Sequence, residues 1–269
     1  MKTAIVTGAS SGIGLEICKM LLQHDYQVYG FGRCFDHVVY DSGNDSCATS
    51  IKLCTTADDL DKSVVNHLND FSNHLINNNS HLFHPIACDL MNTQDLIKEI
   101  KQIQKEHKID LLINNAGAGY FGPHEELNAQ KIHALTVTNL EVPMLLCQIL
   151  LRDLKQTKGT IINMSSITAK KSNTYGCAYG ATKAGLTSFS KSLFDEVRKY
   201  GVKVCVIHPD MTKTNFYRNA NFKEGDVPES YLLPEEIANA VEFIITSREG
   251  FVPTDLTFQP QIHRLTKLK

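Results

Sequence analysis

The chain has 269 residues, of which 42% are hydrophobic and 21% charged, and its formal net charge at pH 7 is −2. This composition is that of an ordinary globular protein long enough for one sizeable domain. The near-zero net charge gives no reason to expect nucleic acid or an anionic membrane as a partner.

The cysteine pattern and the N-terminal sequence predict the cellular compartment of the protein. The eight cysteines include no CxxC pair, so neither a zinc knuckle nor a redox dithiol is indicated. The chain enters a strand-like run at residues 3–7, which leaves no room for a signal peptide, and no apolar stretch approaches the length that spans a bilayer. We therefore expect a cytoplasmic protein with reduced thiols and no membrane partner.

Short β-branched runs alternate with stretches of helical period, which is typical of an α/β protein with a parallel sheet. Strands are predicted at residues 3–7, 27–31, 84–88, 109–113, 159–164, 202–207 and 256–258. Helices are predicted near residues 13–23, 93–107, 128–155, 178–199 and 234–246, and Pro143 is expected to kink or split the third of them. The pattern predicts a single doubly wound α/β domain over residues 1–269, with a mostly parallel, seven-stranded sheet and helices on both faces.

The connection between the second and third predicted strands, residues 34–83, is longer than a βαβ crossover needs. Residues 34–56 show little periodicity and predict an irregular loop, and residues 56–59 resemble a helix-capping start. A helical stripe follows, made of Leu60, Val64, Leu68, Phe71 and Leu75. Two interpretations stay open: an elongated crossover helix with a surface loop, or an insertion that binds a partner or a second subunit.

A glycine-rich turn, Thr7-Gly-Ala-Ser-Ser-Gly-Ile-Gly14, joins the first strand to the first helix. Glycine adopts backbone angles closed to other residues and lets the main chain approach a pyrophosphate. Free amides at the start of a helix then bind the anion. Because the turn lies between a strand and a helix, it predicts a dinucleotide site rather than a plain structural corner. The predicted contacts are Gly8, Ser10, Ser11, Gly12, Ile13 and Gly14.

Further motifs follow in order along the chain. Asn114-Asn-Ala-Gly117 comes after the fourth strand, Asn139 lies in the middle helix, Tyr179-Gly-Ala-Thr-Lys183 opens a late helix, and His208-Pro-Asp210 follows the sixth strand. Together with the Gly-x-x-x-Gly-x-Gly turn they resemble the signature of the short-chain dehydrogenase/reductase family, from residue 3 to about residue 259. The resemblance implies a Rossmann-like oxidoreductase that moves hydride between a nicotinamide and a carbonyl or alcohol.

The end of the second strand decides which cofactor is expected. In Rossmann-type folds an acidic residue there binds the ribose hydroxyls of NAD. By resemblance Gly32 takes that position here and Arg33 follows it. A guanidinium matches a 2′-phosphate in charge and shape, so NADP(H) is favoured. NAD(H) stays open, because Asp36 is near and Arg33 could be an ordinary surface arginine. The resemblance adds these cofactor contacts: Asp89, Leu90, Asn115, Ala116, Gly117, Pro209, Thr212 and Thr214.

Tyr179 and Lys183 are four residues apart on a predicted helix, so they project from one face. An ammonium near a phenol favours the phenolate, which would make Tyr179 a general acid/base. Alone, such a pair is typical of an exposed helix face. The resemblance implies that Lys183 also holds the nicotinamide ribose. It further implies that Ser166, rather than Ser165, holds the substrate oxygen.

Asn139 has two open interpretations. The resemblance implies that it supports a water leading to Lys183, and the alternative is that it satisfies helix backbone near Pro143. Asp210 departs from the family pattern, which usually has glycine at that position. We expect this departure to change the local backbone conformation rather than the chemistry of the site.

Residues 211–233 are predicted to cover the substrate, and their aromatic and basic residues suit a hydrophobic or weakly anionic carbonyl or alcohol. His81, His84 and Cys88 have metal-like spacing, but we predict no metal, because His84 and Cys88 need not face together. The basic C-terminus, with Arg264, Lys267 and Lys269, predicts a solvated tail. The family implies a homodimer or homotetramer. Two rival functions are an NAD-dependent alcohol dehydrogenase and a non-catalytic dinucleotide-sensing or scaffold protein.

Overall fold

A parallel sheet organises the protein, whose structure is a computed structural model that describes residues 1–35 and 79–267. In these residues the strands are β1 (Lys2–Thr7), β2 (Tyr26–Gly32), β3 (Phe83–Ala87), β4 (Leu111–Asn114), β5 (Thr160–Met164), β6 (Lys203–Pro209), β7 (Phe222–Glu224), β8 (Asp255–Phe258) and β9 (Leu265–Lys267). Seven of them form one all-parallel sheet in the order β3-β2-β1-β4-β5-β6-β8. The predicted doubly wound, seven-stranded Rossmann-like fold is confirmed.

Helices cover both faces of this sheet. They are α1 (Gly12–Gln23), α2 (Thr93–Glu106), α3 (Ala129–Thr136), α4 (Val142–Thr157), α5 (Cys177–Val197) and α6 (Pro234–Thr246). One hydrophobic core lies between the sheet and α1 with α6, and the other lies between the sheet and α2, α4 and α5. Along β1, Ala4 and Val6 face the first core and Ile5 faces the second, because successive strand residues point to opposite faces. Burial on both faces explains why the strands read as continuous apolar runs.

The long middle helix is interrupted where the sequence predicts a break. Residues Val137–Glu141 form a single π-helical turn between α3 and α4, and Pro143 lies in the first turn of α4. Proline has no N–H to donate to the preceding turn, so a change of hydrogen-bond pattern just before it is expected. The expectation that Pro143 kinks or splits the helix corresponds to this change of hydrogen-bond pattern, because the helical run itself continues from Ala129 to Thr157.

The same helical run, residues 129–157, is long and apolar enough to cross a membrane by length and composition alone. The expectation that no apolar stretch approaches that length was wrong. Leu146, Leu150 and Leu154 of this run pack in the second core, and a core helix of this length passes the same test.

Two further expectations concern the segment before β3 and the C-terminal segment. Most of the predicted loop, residues 36–56, lies outside the described residues. The same holds for Asp36 and for the helical stripe of residues 60–75. Arg264 and Lys267 are exposed, as the prediction of a solvated basic tail expects, but residues 265–267 also form a strand. There β9 pairs antiparallel with β7, in the register Phe222↔Lys267 and Glu224↔Leu265. Strands this short carry too little periodicity to be read from sequence.

Candidate active site

The strand order reverses at β1, which lies between β2 and β4. At such a switch point the connections leave in opposite directions and open a crevice at the carboxyl ends of the strands. A cavity of about 310 Å³ lies there. Of the predicted cofactor and catalytic residues, Gly14 and Asn139 do not line it. The remainder do: Gly8, Ser10, Ser11, Gly12, Ile13, Arg33, Asp89, Leu90, Asn115, Ala116, Gly117, Ser166, Tyr179, Lys183, Pro209, Thr212 and Thr214.

The glycine-rich turn forms one wall of this cavity. Gly8 and Gly12 have φ angles of +69° and +54°, a backbone region that residues other than glycine rarely adopt. Gly14 lies beneath the turn, where a Cβ would overlap the carbonyl oxygen of Gly8 and the side-chain nitrogen of Asn115. Gly14 therefore allows close packing of the turn on the end of β4, and its contact with a cofactor stays a prediction.

Hydrogen bonds between the ends of β1 and β4 fix the turn. The Thr7 hydroxyl oxygen accepts from the amides of Asn115 and Ala116, both at 3.0 Å. The Asn115 side chain donates to the carbonyls of Thr7 at 3.0 Å and Gly8 at 3.3 Å. The Asn115 side chain thus anchors the turn, which holds the backbone amides of α1 toward the crevice.

The far end of the cavity contains Gly32 and Arg33. Gly32 packs closely on Ser10, since a Cβ there would lie 2.9 Å from the Ser10 hydroxyl oxygen. Arg33 is exposed and lines the cavity beside the turn. Asp89 also lines it, with its carboxylate accepting from the Met91 amide at 3.0 Å. The glycine-rich turn and the exposed guanidinium of Arg33 are groups that could hold a dinucleotide with a phosphate on its adenosine ribose.

Ser165 and Ser166 directly follow β5 and have different surroundings. The Ser165 hydroxyl donates to the carbonyl of Lys183 at 3.0 Å and contacts the Thr187 hydroxyl at 2.8 Å, both within α5. The Ser166 hydroxyl accepts from the Thr168 amide at 3.2 Å, and Ser166 lines the cavity together with Tyr179. Only Ser166 of the two is available to a ligand beside Tyr179.

Tyr179 and Lys183 lie on the cavity side of α5 and are both buried. Burial raises the pKa of Tyr179 to about 12, although the hydrogen bond with Ser166 acts in the opposite direction. Burial lowers the pKa of Lys183 to about 8, and its ammonium donates to the carbonyl of Met164 at 2.7 Å. Desolvation is the largest cause of this raised pKa, and the stabilisation of a phenolate by Lys183 stays a prediction. Near neutral pH, Tyr179 holds its proton and can donate it.

Asn139 belongs to the π-turn and does not line the cavity. Its side chain accepts from the Ala118 amide at 2.8 Å and donates to the Ala118 carbonyl at 3.0 Å. It also donates at 3.1 Å to the Thr182 hydroxyl, which itself donates to the Tyr179 carbonyl at 2.8 Å. Asn139 therefore clamps the loop after β4 to the start of α5. Its role in supporting a water that leads to Lys183 stays a prediction.

His208 is a site component that the sequence analysis left without a role. It is fully buried in β6, and its Nδ1 lies 3.1 Å from the carbonyl oxygen of Ser166. Its Nε2 lies 3.4 Å from a carboxylate oxygen of Asp255, which also pairs with Lys170 and Lys191. Burial lowers the pKa of His208, and the contact of its Nδ1 with the Ser166 carbonyl holds the backbone at Ser166.

The loop after β6 closes the crevice. A Cβ at Gly12 would meet the Thr214 methyl group at 3.1 Å, so Thr214 lies against the glycine-rich turn. Asp210 accepts from the Met211 amide at 2.9 Å and from Gln259 at 3.2 Å. These bonds define the backbone at the position where the family usually has glycine.

Four aromatic side chains, Phe121, Phe216, Tyr217 and Phe222, form an aromatic wall over Tyr179. The rings of Phe121 and Phe216 lie 5.5 Å and 5.7 Å from that of Tyr179. Phe121 in turn packs on Tyr217 at 5.8 Å and on Phe222 at 5.3 Å. Sequence analysis placed three of the four in the covering segment but missed Phe121, which lies in an irregular loop with no periodic signal.

The histidines with metal-like spacing lie elsewhere. His84 stacks on Tyr29 at 4.7 Å, and its Nε2 lies 3.1 Å from the side-chain nitrogen of Gln27. Within residues 1–35 and 79–267, no group of three or more His, Cys, Asp or Glu side chains could hold a metal ion.

Comparison with known proteins agrees with this geometry. A model of the short chain dehydrogenase family matches residues 62–225. The 3-oxoacyl-[acyl-carrier-protein] reductase FabG of Buchnera aphidicola is 31% identical over 266 residues, covering 93% of this chain and 92% of that protein. The chain therefore belongs to the short-chain dehydrogenase/reductase family of oxidoreductases.

Solved structures share the fold. An alcohol dehydrogenase from the archaeon Thermococcus sibiricus, complexed with 5-hydroxy-NADP, superposes with a TM-score of 0.76 at 22% identity and 98% coverage of both chains. A 4-hydroxyisoleucine dehydrogenase complexed with NADH and succinate gives 0.72 at 18% identity, with 96% and 97% coverage. The two neighbours hold different nicotinamide cofactors, so the comparisons leave cofactor preference open.

Proposed function

We propose that the protein is an NADP(H)-dependent oxidoreductase that interconverts a carbonyl and an alcohol, with Tyr179 as the general acid/base. The observation that carries the proposal is the buried Tyr179, which lines one cavity together with Ser166, Lys183 and the glycine-rich turn. Family membership supports the reaction class.

The residues that would hold the cofactor follow the crevice. The amides at the start of α1 and the hydroxyls of Ser10 and Ser11 would bind the pyrophosphate, and Arg33 the 2′-phosphate. Lys183 and Thr214 would hold the nicotinamide half. When bound, NADP(H) supplies or accepts the hydride.

The protein's own groups would handle the substrate oxygen. Ser166 would donate a hydrogen bond to it, and Tyr179 would donate a proton to it from its hydroxyl. The pKa of about 12 keeps Tyr179 protonated at neutral pH, which favours the carbonyl-reducing direction. The Lys183 ammonium would stabilise the negative charge that remains on Tyr179 after the transfer.

NADPH is expected to stabilise the protein against heat more than NADH at equal concentration, because a tighter ligand shifts unfolding further. Arg33→Ala should weaken NADPH binding roughly tenfold or more and leave NADH binding nearly unchanged, since a charge-assisted contact contributes about 1.5–3 kcal/mol. The measurement is thermal shift and titration with both cofactors. Arg248→Ala is the matched control, because Arg248 is also exposed but does not line the cavity. A larger shift with NADH would contradict the cofactor assignment and favour the NAD-dependent rival.

Carbonyl reduction is expected to lose rate as the pH rises through about 8, the pKa of Lys183. Below that pH Lys183 is charged and Tyr179 is protonated, so the rate should be nearly constant. Above it, kcat/KM should fall by about tenfold per pH unit as the ammonium is lost. A pH–rate profile checks this, with Lys183→Arg as the variant whose charge persists. A rate that increases above pH 8 would show that Lys183 does not act as an ammonium.

A further inference from the structure

We propose that the hydroxyl of Tyr217 is a second hydrogen-bond donor to the substrate, in addition to Ser166. The site therefore selects a carbonyl compound that carries another oxygen acceptor beside the carbonyl that is reduced. The inference rests on the proposed function, because it assigns a specificity-determining residue to the same site and names the class of substrate that this residue recognises.

Tyr217 belongs to the same part of the cavity as Tyr179. Of the aromatic wall, Phe216 and Tyr217 line the cavity, as do Tyr179 and Ser166. The ring of Phe216 lies 5.7 Å from that of Tyr179 and 5.2 Å from that of Tyr217, so both tyrosines contact one phenylalanine. A substrate bound through Ser166 and Tyr179 therefore shares the cavity with Tyr217.

The Tyr217 hydroxyl is available to a ligand. In the part of the chain that the structure describes, it forms no hydrogen bond with another group of the protein. In the same part, the buried side-chain polar atoms without a partner belong to Asn114, Thr168 and His208. The Tyr217 hydroxyl is not one of them, so it faces open space. Because Tyr217 lines the cavity, we infer that this space is the cavity.

Ring contacts hold this hydroxyl in place. The Tyr217 ring lies 5.5 Å from that of Phe222 and 5.8 Å from that of Phe121, and it packs edge-on against Phe216. Three aromatic neighbours restrict the orientation of the ring. A donor that is already oriented loses less conformational freedom when it binds an acceptor, so it discriminates between substrates more strongly.

Hydrogen bonding rather than charge distinguishes substrates at Tyr217. Lys183 and Arg218 bring positive charge to the cavity lining, and Asp210 brings negative charge. Burial is the largest cause that raises the pKa of Tyr217 well above its usual range, so near neutral pH the hydroxyl keeps its proton and is a neutral donor. A substrate without an acceptor leaves this donor unpaired, which costs free energy, and is therefore disfavoured.

Two compounds of the same length test the inference, with NADPH oxidation as the readout. Ethyl benzoylformate carries an ester beside its ketone, and valerophenone has methylene groups instead. Tyr217→Phe should lower kcat/KM for the ester by about 3- to 10-fold, the contribution of one hydrogen bond, and leave that for valerophenone within about twofold. Each compound is compared with itself, so differences in intrinsic reactivity cancel.

An equal change of kcat/KM for the two compounds in Tyr217→Phe overturns the inference. If valerophenone is reduced too slowly to measure, its inhibition constant against reduction of the ester gives the same comparison. NADPH titration of the variant separates substrate from cofactor. We expect wild-type affinity, and weaker binding of NADPH would assign the hydroxyl to the cofactor and overturn its role in substrate selection.

Two matched controls come from the same cavity. Tyr120→Phe removes the hydroxyl of another tyrosine that lines it, whose ring lies 5.8 Å from the Lys131 ammonium. Arg218→Met removes the cation that follows Tyr217 in the chain. Neither should change the ratio of kcat/KM for the two compounds. A changed ratio in one of these controls, with the wild-type ratio in Tyr217→Phe, overturns the role of Tyr217.

Failure of the proposed function gives a different result. Ester turnover that Tyr179→Phe leaves unchanged overturns the proposed chemistry, whereas the comparison of the two compounds in Tyr217→Phe still tests the hydrogen bond. A wild-type protein that binds NADPH but does not reduce the ester overturns the substrate class. Reduction of valerophenone by that protein would leave the oxidoreductase assignment standing.

Discussion

Tyr179→Phe is expected to lower kcat for NADPH-dependent carbonyl reduction by about 10²–10⁴-fold while leaving NADPH binding nearly unchanged. The loss is the size that a positioned general acid contributes. The phenylalanine ring preserves the contacts with Phe121 and Phe216, so the wall and the helix should keep their geometry. Steady-state kinetics and NADPH titration on the same preparation provide the measurement.

A matched control for this variant is Tyr200→Phe. Tyr200 is 44% exposed and does not line the cavity, so removal of its hydroxyl should change neither kcat nor NADPH binding. If Tyr179→Phe retains wild-type turnover, the acid/base assignment is wrong. A protein that binds NADPH but reduces no carbonyl in either form would favour the non-catalytic dinucleotide-sensing rival.

Ser166→Ala and Ser165→Ala are expected to separate activity from stability. Ser166→Ala should lower kcat/KM by about 10- to 100-fold, because a hydrogen bond to a charged group contributes about 1.5–3 kcal/mol. Ser165→Ala should keep most activity but lower the free energy of unfolding by about 1–3 kcal/mol, since it removes two buried hydrogen bonds to α5. Kinetics and denaturant unfolding of both variants check this.

The reverse pattern would mean that the roles of the two neighbouring serines are exchanged. In that case the separation between serine and tyrosine inferred from the family pattern would not apply to this chain. Because both variants remove a single hydroxyl from adjacent residues of one strand end, each serves as the control for the other.

The sheet and the glycine-rich turn were predictable because their signals are local. Strands buried on both faces read as short apolar runs, and the turn needs glycine at positions where the backbone allows little else. The order of the motifs also predicted the site, because the carboxyl ends of parallel strands meet at one edge of the sheet. Tyr179, Ser166 and Arg33 line one cavity for that reason.

Features that depend on distant partners were not predictable. Sequence does not show that the side chain of Asn139 bonds Ala118 and Thr182. The pKa of Tyr179 depends on burial, which no spacing reveals. The contact of His208 with the Ser166 carbonyl and the pairing of β7 with β9 likewise join residues about forty positions apart.

Transfer of deuterium from NADPH that carries deuterium at both C4 positions of the nicotinamide tests the central claim most directly. The reaction would be run in ordinary water with ethyl benzoylformate, and the alcohol analysed by mass spectrometry and NMR. We expect one deuterium at the carbinol carbon, because the hydride comes from the cofactor and only the hydroxyl proton comes from Tyr179 and solvent. An alcohol without deuterium at that carbon would contradict direct hydride transfer and with it the proposed function.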